Sequence, residues 1–331
     1  DLYMSHLVTI DVLGSKKVSL EKLQNEYREG ISARPEHIRK RLDVIRNKWI
    51  EQVEINFEKS NIVLIRGASG QGKTSLAYRY LLERYAEEQI ICIQKLTNEN
   101  SIWAILNFLK RELEDREYVL YYDVQPSDTF WGIILNAISM HLPDARLLVT
   151  IREDDYNSSN ISRGSVSYEE ISLELYEDEA REIYSQYEQN TFISFDDLWK
   201  TFGNGGPLLE FIYLINHSMT LEAKINNQIT RIDSEIDERE WFNVLAVIAI
   251  AGQYDLSIKL DVLFEKIKLR NASKLLQQFE KEFFVKISDN GERIKCLHSV
   301  RAHLIIKCLE GKFGFNYLQA CLLYTSPSPR D

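Results

Sequence analysis

The segment Gly67-Ala-Ser-Gly-Gln-Gly-Lys-Thr74 is the feature of this chain that most constrains its fold. It fits the pattern G-x-x-x-x-G-K-[ST], in which glycines let the backbone curl closely around an anion. The apolar run 61–66 predicts a buried strand before it, and the pattern of 73–85 predicts a helix after it. Backbone amides and the positive end of that helix would converge on one point. The segment therefore predicts a phosphate-binding loop at the end of a strand in an α/β sheet.

The residue types in and after this loop predict a site for a nucleotide and a metal. We expect Lys73 to reach the β and γ oxygens of a triphosphate and the Thr74 hydroxyl to ligate Mg²⁺. Asp123 ends a later buried run, Tyr-Val-Leu-Tyr-Tyr, and is the second predicted Mg²⁺ group, in the Walker B arrangement. The predicted cofactors are therefore ATP or ADP with Mg²⁺. The loop residues predicted to bind the nucleotide are Gly67, Ser69, Gly70, Gln71, Gly72, Lys73, Thr74 and Ser75.

Catalytic turnover has weaker support in the sequence than binding. Val124 follows Asp123 at the place where an acid would orient the attacking water, and Asp128 is the nearest substitute. The strand predicted at 145–151 is followed by Arg152, so Thr150 and Arg152 are expected to face the γ-phosphate. We predict an ATPase whose hydrolysis is slow. The residues predicted to be catalytic are Lys73, Asp123, Asp128 and Arg152.

Hydrophobic periodicity predicts alternating strands and helices in the first half of the chain. Strands are predicted at 61–66, 89–96, 118–124, 145–151 and 168–173, with helices between them and an acidic helix at 177–187. Such alternation implies a parallel sheet covered on both faces, and together with the 67–74 loop it resembles the three-layer sandwich of P-loop NTPases. Before it, one amphipathic helix is predicted from residue 31 to about residue 60, with an apolar side formed by Ile38, Leu42, Ile45, Trp49 and Val53.

The second half of the chain is predicted to be mostly helical. Helices are expected at 195–202, 207–217, 221–233, 238–251, 260–267, 272–279 and 300–309. A hairpin is expected at 284–297 around the turn residues Asn290 and Gly291. Helices followed by a tight hairpin predict a winged helix after a helical lid.

Composition excludes several classes of protein. The formal net charge of −10 argues against a general nucleic-acid surface, so nucleic acid is not an expected partner. The four cysteines are widely spaced and form no metal-binding pattern, which favours reduced thiols and a cytoplasmic protein. We find no apolar run long enough to cross a bilayer and expect no membrane association.

With these residues in hand, the chain resembles the STAND class of P-loop NTPases, the signalling ATPases that include the NB-ARC and NACHT groups. The resemblance covers about 31–309 and depends on the loop, on Asp123 and on the Thr150-Ile-Arg152 sequence. Gly205-Gly206-Pro207 is similar to the GxP motif of that class, whose proline packs on the adenine. Ala33-Arg34 is similar to an upstream Gly-Arg element near the base, with Ala in place of Gly. His298 is similar to the histidine that contacts the ADP β-phosphate, although Ser299 replaces the Asp that follows it in the NB-ARC group.

The resemblance implies a molecular switch. ADP would hold the sheet, lid and winged helix closed, and exchange for ATP would favour an open form that assembles into a homo-oligomer and signals. Two nucleotides can drive such a switch only if they bind the two forms unequally. Relatives carry an effector domain before the NTPase and a sensor domain after it, and bacterial members often act in antiviral defence.

The expected organisation follows from these motifs. Residues 1–30 are predicted to be the end of an upstream region or a linker, 31–192 the P-loop NTPase domain, 193–235 the lid and 236–310 the winged helix. Residues 311–331 are predicted to be a tail, in which 321–331 resembles a translated sequencing adapter. We therefore expect this chain to be a fragment that lacks the effector and sensor domains.

Two other functions remain open at the level of the sequence. The first is an AAA+ ATPase of the origin-binding or helicase-loader type, which would use its winged helix on DNA. The acidic composition and the mixed charges around 260–281 argue against it. The second is a module in which a bound nucleotide has only a structural role. DNA binding would distinguish the first, and phosphate release the second.

Overall fold

The computed structural model describes residues 6–13, 18–94, 98–112, 116–126, 128–158, 166–187, 193–236, 241–266, 272–288 and 290–314. The chain divides into two compact units. The first unit comprises Asp1–Arg28, Ala33–Gln189 and Asn204–Leu209, and the second comprises Glu29–Ser32, Asn190–Gly203 and Glu210–Asp331. The predicted tail lies almost entirely outside the described residues, as does the whole segment 321–331.

The first unit contains six strands, nine helices and a 3₁₀ turn at Glu87–Gln89 among its described residues. In chain order these strands and helices are β1 (Leu7–Thr9), α1 (Ile10–Leu13), α2 (Leu20–Arg28), α3 (Pro35–Arg39), α4 (Asn47–Phe57), β2 (Ile62–Gly67), α5 (Lys73–Arg84), β3 (Ile90–Ile93), α6 (Glu99–Glu112), β4 (Val119–Asp123), α7 (Trp131–His141), β5 (Arg146–Arg152), α8 (Glu153–Asn157), β6 (Glu169–Ser172) and α9 (Glu177–Tyr187).

The six strands form one mixed sheet in the order β1-β3-β4-β5-β2-β6. All pairs except β1 with β3 are parallel. The strand before the 67–74 loop, β2, therefore lies between β5 and β6, and β4 lies on the other side of β5. This arrangement confirms the predicted α/β class with a mostly parallel sheet. It also brings the carboxyl ends of β2, β5 and β4 to the same edge, which is where ligands bind in open α/β sheets.

Alternate residues of the strands point into two separate hydrophobic cores. On one face, Leu64, Leu120 and Leu147 pack with helices α6 and α7. On the other face, Val63, Ile65 and their neighbours pack with helices α4 and α5. Since both faces are buried, the strands read in sequence as continuous apolar runs, and this explains why they could be predicted.

The helix predicted from 31 to about 60 is wrong as a single element. It is two helices, α3 and α4, separated by a turn in which Arg41 has a left-handed φ of 53°. Hydrogen bonds from the amides of Arg41 and Leu42 to Ile38 and His37 end α3. The apolar spacing continues across the turn, but these residues do not form one buried side. Ile38 and Val53 are buried, whereas Ile45 is exposed. Periodicity alone could not reveal the break.

Strand β1 was not expected from the sequence. Its three residues pair antiparallel with β3, in the register Leu7 to Ile93 and Thr9 to Ile91. A strand this short carries too little alternation to be recognised, and its partner supplies the pairing. Helices α1, α2 and α8 were not predicted either, and the other strands and helices of this unit lie within a few residues of the predicted ranges.

The second unit is helical with one small sheet. Its described elements are α10 (Phe195–Phe202), α11 (Leu208–His217, shared with the first unit at its start), α12 (Leu221–Glu235), α13 (Trp241–Gln253), β7 (Ile258–Lys259), α14 (Leu260–Lys266), α15 (Ala272–Lys281), β8 (Val285–Ile287), β9 (Arg293–Cys296) and α16 (Ser299–Phe313). The predicted hairpin is confirmed, because β8 and β9 pair antiparallel, and β7 adds a third strand that the sequence did not predict.

No helix within the described ranges is both long and apolar enough to cross a membrane.

Candidate functional site

The 67–74 loop has the backbone geometry that its glycines predict. Gly70 and Gly72 adopt φ angles of 81° and 79°, in the left-handed region that side chains with a Cβ avoid. Gly67 is required for a different reason, because a Cβ there would lie 2.6 Å from the backbone oxygen of Leu173. Gly72 also caps the first turn of α5, whose amides face the loop. The loop is therefore curled at the positive end of a helix, as anion binding requires.

Lys73 points back into the loop. Its Nζ donates hydrogen bonds to the carbonyl oxygens of Gly67 and Ala68, at 2.8 and 2.9 Å. The side chain is buried although its residue type is among those most rarely buried. Burial lowers the pKa of Lys73 to about 8, with Asp123 opposing this shift and Arg152 adding to it. An ammonium held this way is placed to meet an anion in the loop.

This lowered pKa predicts how nucleotide binding depends on pH. Below about pH 8 the free protein carries a charged Lys73, and above it the proton must be taken up again when an anion binds. We expect the affinity for ADP to fall by about tenfold per pH unit above pH 8. Calorimetry at pH 8.5 in two buffers of different ionisation enthalpy should show proton uptake. Lys73→Arg, whose side chain stays charged, is the control, and absence of uptake by the wild-type protein would contradict the assignment.

Asp123 lies at the carboxyl end of β4, directly opposite Thr150 of β5. Its Oδ2 is 3.4 Å from the Thr74 hydroxyl, and its Oδ1 accepts a hydrogen bond from the Thr150 hydroxyl at 2.6 Å. The structure thus brings together Thr74 and Asp123, the two groups predicted to hold Mg²⁺. A hydroxyl and a carboxylate oxygen are the hard donors that Mg²⁺ takes, with water and phosphate oxygens completing its octahedron. The residues present therefore fit the predicted metal.

Thr150 is part of a hydrogen-bonded chain whose direction can be deduced. The Thr150 hydroxyl is also 3.0 Å from the hydroxyl of Tyr121, and either oxygen could donate there. A carboxylate only accepts, so the single proton of Thr150 goes to Asp123 and Tyr121 must be the donor to Thr150. Thr150 is fully buried. The Thr150 hydroxyl therefore uses its proton and one lone pair within the protein, and it orients the carboxylate of Asp123. This corrects the expectation that Thr150 faces the γ-phosphate.

Removal of the Tyr121 hydroxyl should affect metal-dependent binding in particular. We expect Tyr121→Phe to cost about 1 kcal/mol of folding free energy and to weaken ADP binding several-fold when Mg²⁺ is present. Without Mg²⁺ the affinity should hardly change, because the chain acts on Asp123. The matched control is Tyr122→Phe, which removes a hydroxyl that donates to Asp128 at 2.6 Å on the other face of β4. Equal effects with and without Mg²⁺ would contradict the assigned role.

The other two residues predicted to be catalytic lie in different surroundings. Arg152 pairs with Gly67 in the register of β5 and β2, and its charge influences Lys73. It therefore lies beside the loop. Asp128 is buried and accepts hydrogen bonds from the Tyr122 hydroxyl and, at 2.9 Å, from the amide of Phe130. These bonds engage both carboxylate oxygens at the start of α7, and the catalytic role expected of Asp128 stays a prediction.

The segment that contains Pro207 contacts the loop within the first unit. The amide of Leu209 donates to the carbonyl of Gly70 at 2.9 Å, and the side chain of Gln71 donates to the carbonyl of Gly206 at 3.2 Å. The Leu208 side chain would be 3.1 Å from a Cβ at Gly72. Pro207, predicted to pack on the base, is thereby held next to the predicted phosphate site.

The remaining residues predicted to bind the nucleotide are Ser69, Ser75, Arg34 and His298. Ser69 and Ser75 are half-buried. Arg34 precedes α3, and its guanidinium forms an ion pair with Glu26, which a base contact would have to share. His298 belongs to the second unit, where its Nδ1 accepts from the amide of Val300 at 3.1 Å and caps α16. The roles predicted for Arg34 and His298 stay predictions.

Sequence reasoning missed Arg46 and Glu179. Arg46 is buried, contacts the loop backbone and forms an ion pair with Glu179 of α9. In the sequence both look like ordinary charged residues on amphipathic helices, so no sequence signal marked them. No group of three or more His, Cys, Asp or Glu side chains suited to a metal occurs among the residues that the structure describes.

The strand order, the curled glycine loop before α5 and the Lys73–Thr74–Asp123 arrangement define a P-loop NTPase fold.

The sequence matches no protein-family model and no curated protein. Similar solved structures include a Walker-type ATPase of Pyrococcus abyssi, with 16% identity, coverage of 80% of this chain and 96% of that chain, and a TM-score of 0.38. The ORC2 protein of Aeropyrum pernix in its ADP form shares 14% identity over 82% of this chain and 95% of its own, with a TM-score of 0.37. A RuvB variant of Thermotoga maritima shares 15% identity over 79% and 95%, with a TM-score of 0.35.

Proposed function

We propose that this chain binds an adenine nucleotide with Mg²⁺ and acts as a nucleotide-controlled switch of the STAND type. The observation that carries the proposal is the buried Lys73, which lies in the glycine loop beside Thr74 and Asp123. Burial of a charged lysine costs free energy, and the burial of Lys73 is explained if an anion regularly occupies the loop. The bound Mg²⁺ would neutralise phosphate charge, and Thr74 and Asp123 would hold it.

The contacts of the Gly206 segment support a base-binding role for Pro207. Gly206 and Leu209 are hydrogen-bonded to Gln71 and Gly70, so the lid segment starts at the phosphate loop itself. A proline held there offers a rigid apolar face close to the predicted phosphate site, which suits a planar base. Identification of the nucleotide as an adenine nucleotide is part of the proposal and depends on the resemblance to the GxP motif.

Slow hydrolysis is proposed because a valine follows Asp123, at the sequence position where an acid would orient the attacking water. Val124 is buried, and its amide is bonded to the carbonyl of Thr150. Asp128 is already used at the start of α7. A nucleotide that is hydrolysed slowly can report which of two conformations the protein occupies, which is what a switch requires. Assembly into a homo-oligomer on ATP binding and a role in signalling or antiviral defence belong to this same proposal.

Calorimetric titration with ADP and with ATP, each with and without Mg²⁺, tests the proposal directly. We expect both nucleotides to bind, the affinity to rise with Mg²⁺, and single-turnover phosphate release to be slow but above that of Lys73→Ala. Light scattering should show a larger assembly with ATP than with ADP. Absence of binding would refute the proposal. Tight binding to duplex DNA at moderate salt would favour the AAA+ alternative.

A further inference from the structure

One buried guanidinium lies directly against the backbone of the 67–74 loop. Arg46 is 6% exposed, and its Nη1 donates to the carbonyl oxygen of Gln71 at 2.7 Å. Its Nε and Nη2 donate to the two carboxylate oxygens of Glu179 at 2.6 and 2.9 Å. The charge of Arg46 is therefore balanced within a two-bonded ion pair, while its third nitrogen holds the loop.

Neighbouring contacts fix both partners of this pair. The Trp49 indole donates to Glu179 Oε1 at 2.9 Å, and the Arg46 guanidinium lies 5.9 Å from the centre of the Trp49 ring. The turn that precedes Arg46 is anchored by a buried ion pair between Asp43 and Arg79 of α5. The side chain of Gln186 in α9 donates to the Ile45 carbonyl at 3.1 Å. Arg46 is thus presented from a rigid turn.

The bond to Gln71 determines where the next amide points. In a trans peptide the C=O and N–H groups lie in one plane and point in opposite directions, and the described chain has no cis peptide bonds. Since the Gln71 carbonyl points at Arg46, the Gly72 amide of the same peptide points away from Arg46. Acceptance of a hydrogen bond from the charged guanidinium also polarises this peptide and strengthens its N–H as a donor.

We propose that Arg46 and Glu179 form a clamp that fixes the Gly72 amide for phosphate binding, so that Arg46 is a positioning residue of the loop. The inference rests on the proposed nucleotide binding. It assigns Arg46 no contact with the nucleotide, because its guanidinium is paired with Glu179 and bonded to a carbonyl. Without the clamp, the peptide between residues 71 and 72 can rotate. The entropy lost when phosphate binding fixes this peptide would then weaken the affinity.

The test compares the wild-type protein with Arg46→Met/Glu179→Gln, in which the pair is removed without a change in net charge and Trp49 keeps an acceptor. We expect ADP with Mg²⁺ to bind about tenfold more weakly to the double variant, with an unchanged dependence on salt. Adenosine, which has no phosphate, should bind equally well to both. A general structural loss would weaken both ligands, and equal weakening of adenosine and ADP would therefore overturn the clamp.

Glu179→Gln alone keeps the bond from Arg46 to Gln71 but weakens the other side of the clamp, so we expect this variant to bind ADP about threefold more weakly than the wild-type protein, with an unchanged dependence on salt. If this variant instead binds ADP several-fold more tightly and with a steeper salt dependence, Arg46 is a phosphate ligand and the clamp is wrong. Arg46→Lys serves if the double variant does not fold, because one ammonium cannot reach both Glu179 and Gln71 in the same way. We expect about fivefold weaker ADP binding, and wild-type binding would overturn the inference. Failure of the wild-type protein to bind ADP would refute the proposed function itself.

Discussion

Replacement of Lys73 by alanine is expected to weaken binding of ADP and ATP by about 100-fold, or about 2.7 kcal/mol. The buried ammonium is bonded to Gly67 and Ala68 of the loop itself. A phosphate that enters a desolvated loop without that charge loses a charge-assisted hydrogen bond and much of its electrostatic compensation. Calorimetry with Mg²⁺ present measures the loss.

The matched control for this variant is Lys59→Ala, which removes one positive charge from an exposed position after α4. It should bind nucleotide within about twofold of the wild-type protein, because an exposed charge is screened by solvent and salt. The thermal unfolding midpoint of nucleotide-free Lys73→Ala should not fall, because the substitution also removes the cost of burying an ammonium. Nucleotide binding by Lys73→Ala within threefold of wild type would contradict the role given to this loop.

Arg301→Met is expected to destabilise the second unit by about 3–5 kcal/mol. Arg301 is fully buried in α16 and donates to the carbonyl of Glu29 at 2.8 Å and to its carboxylate at 2.8 Å. It also lies 5.9 Å from the ring of Tyr213 and donates to the carbonyl of Phe283 at 3.4 Å. Methionine fills part of the volume but leaves the largely buried Glu29 carboxylate without the guanidinium. Urea unfolding, followed by far-UV circular dichroism, measures the change.

Lys307→Met provides the comparison, since Lys307 lies on the same helix and also pairs with a carboxylate, that of Glu222, but the two side chains are 57% and 44% exposed. We expect this change to cost less than about 1 kcal/mol. Adding Glu29→Gln to Arg301→Met should recover part of the stability, because the unpaired charge is removed. Similar losses of stability for Arg301→Met and Lys307→Met would show that burial of the Arg301–Glu29 pair does not matter.

The Glu29 pair also has a predicted dependence on pH. Burial would raise the pKa of Glu29, but its hydrogen bond with His217 and the charge of Arg301 outweigh burial and lower the pKa below 4.5. A carboxyl group with a lowered pKa in the folded state stabilises the protein above its unfolded pKa, and this contribution is lost as the pH falls through the folded pKa. The stability difference between wild-type protein and Arg301→Met should therefore narrow below about pH 4.

The strands and the anion-binding loop could be read from the sequence because their signals are local. Strands β2 to β5 are continuous apolar runs, since both faces of the sheet are covered, and the glycine pattern of the loop reflects backbone angles that only glycine adopts easily. Asp123 could be predicted for the same reason, because it ends an apolar run. The pairing of Asp123 with Thr150 followed from strand order, which alternation of strands and helices already restricts.

Other features were decided only by tertiary structure. The break between α3 and α4 depends on a turn held by the pair Asp43–Arg79, whose partners are 36 residues apart. The contacts of Asp128 with the Tyr122 hydroxyl and the amide of Phe130 are likewise formed by the fold and have no signal in the sequence.

The amino-acid sequence by itself determined the parallel α/β class, the position of the loop and the residues Lys73, Thr74 and Asp123. Each of these depends on the conformation of a few consecutive residues or on a burial pattern along one element. Tertiary structure alone decided that Arg46 holds the loop backbone, that Thr150 turns toward Asp123 and that Arg301 is buried against Glu29. The physical reason is that the residues adjacent to a polar side chain in the sequence do not show which distant group will bury it and form a hydrogen bond with it.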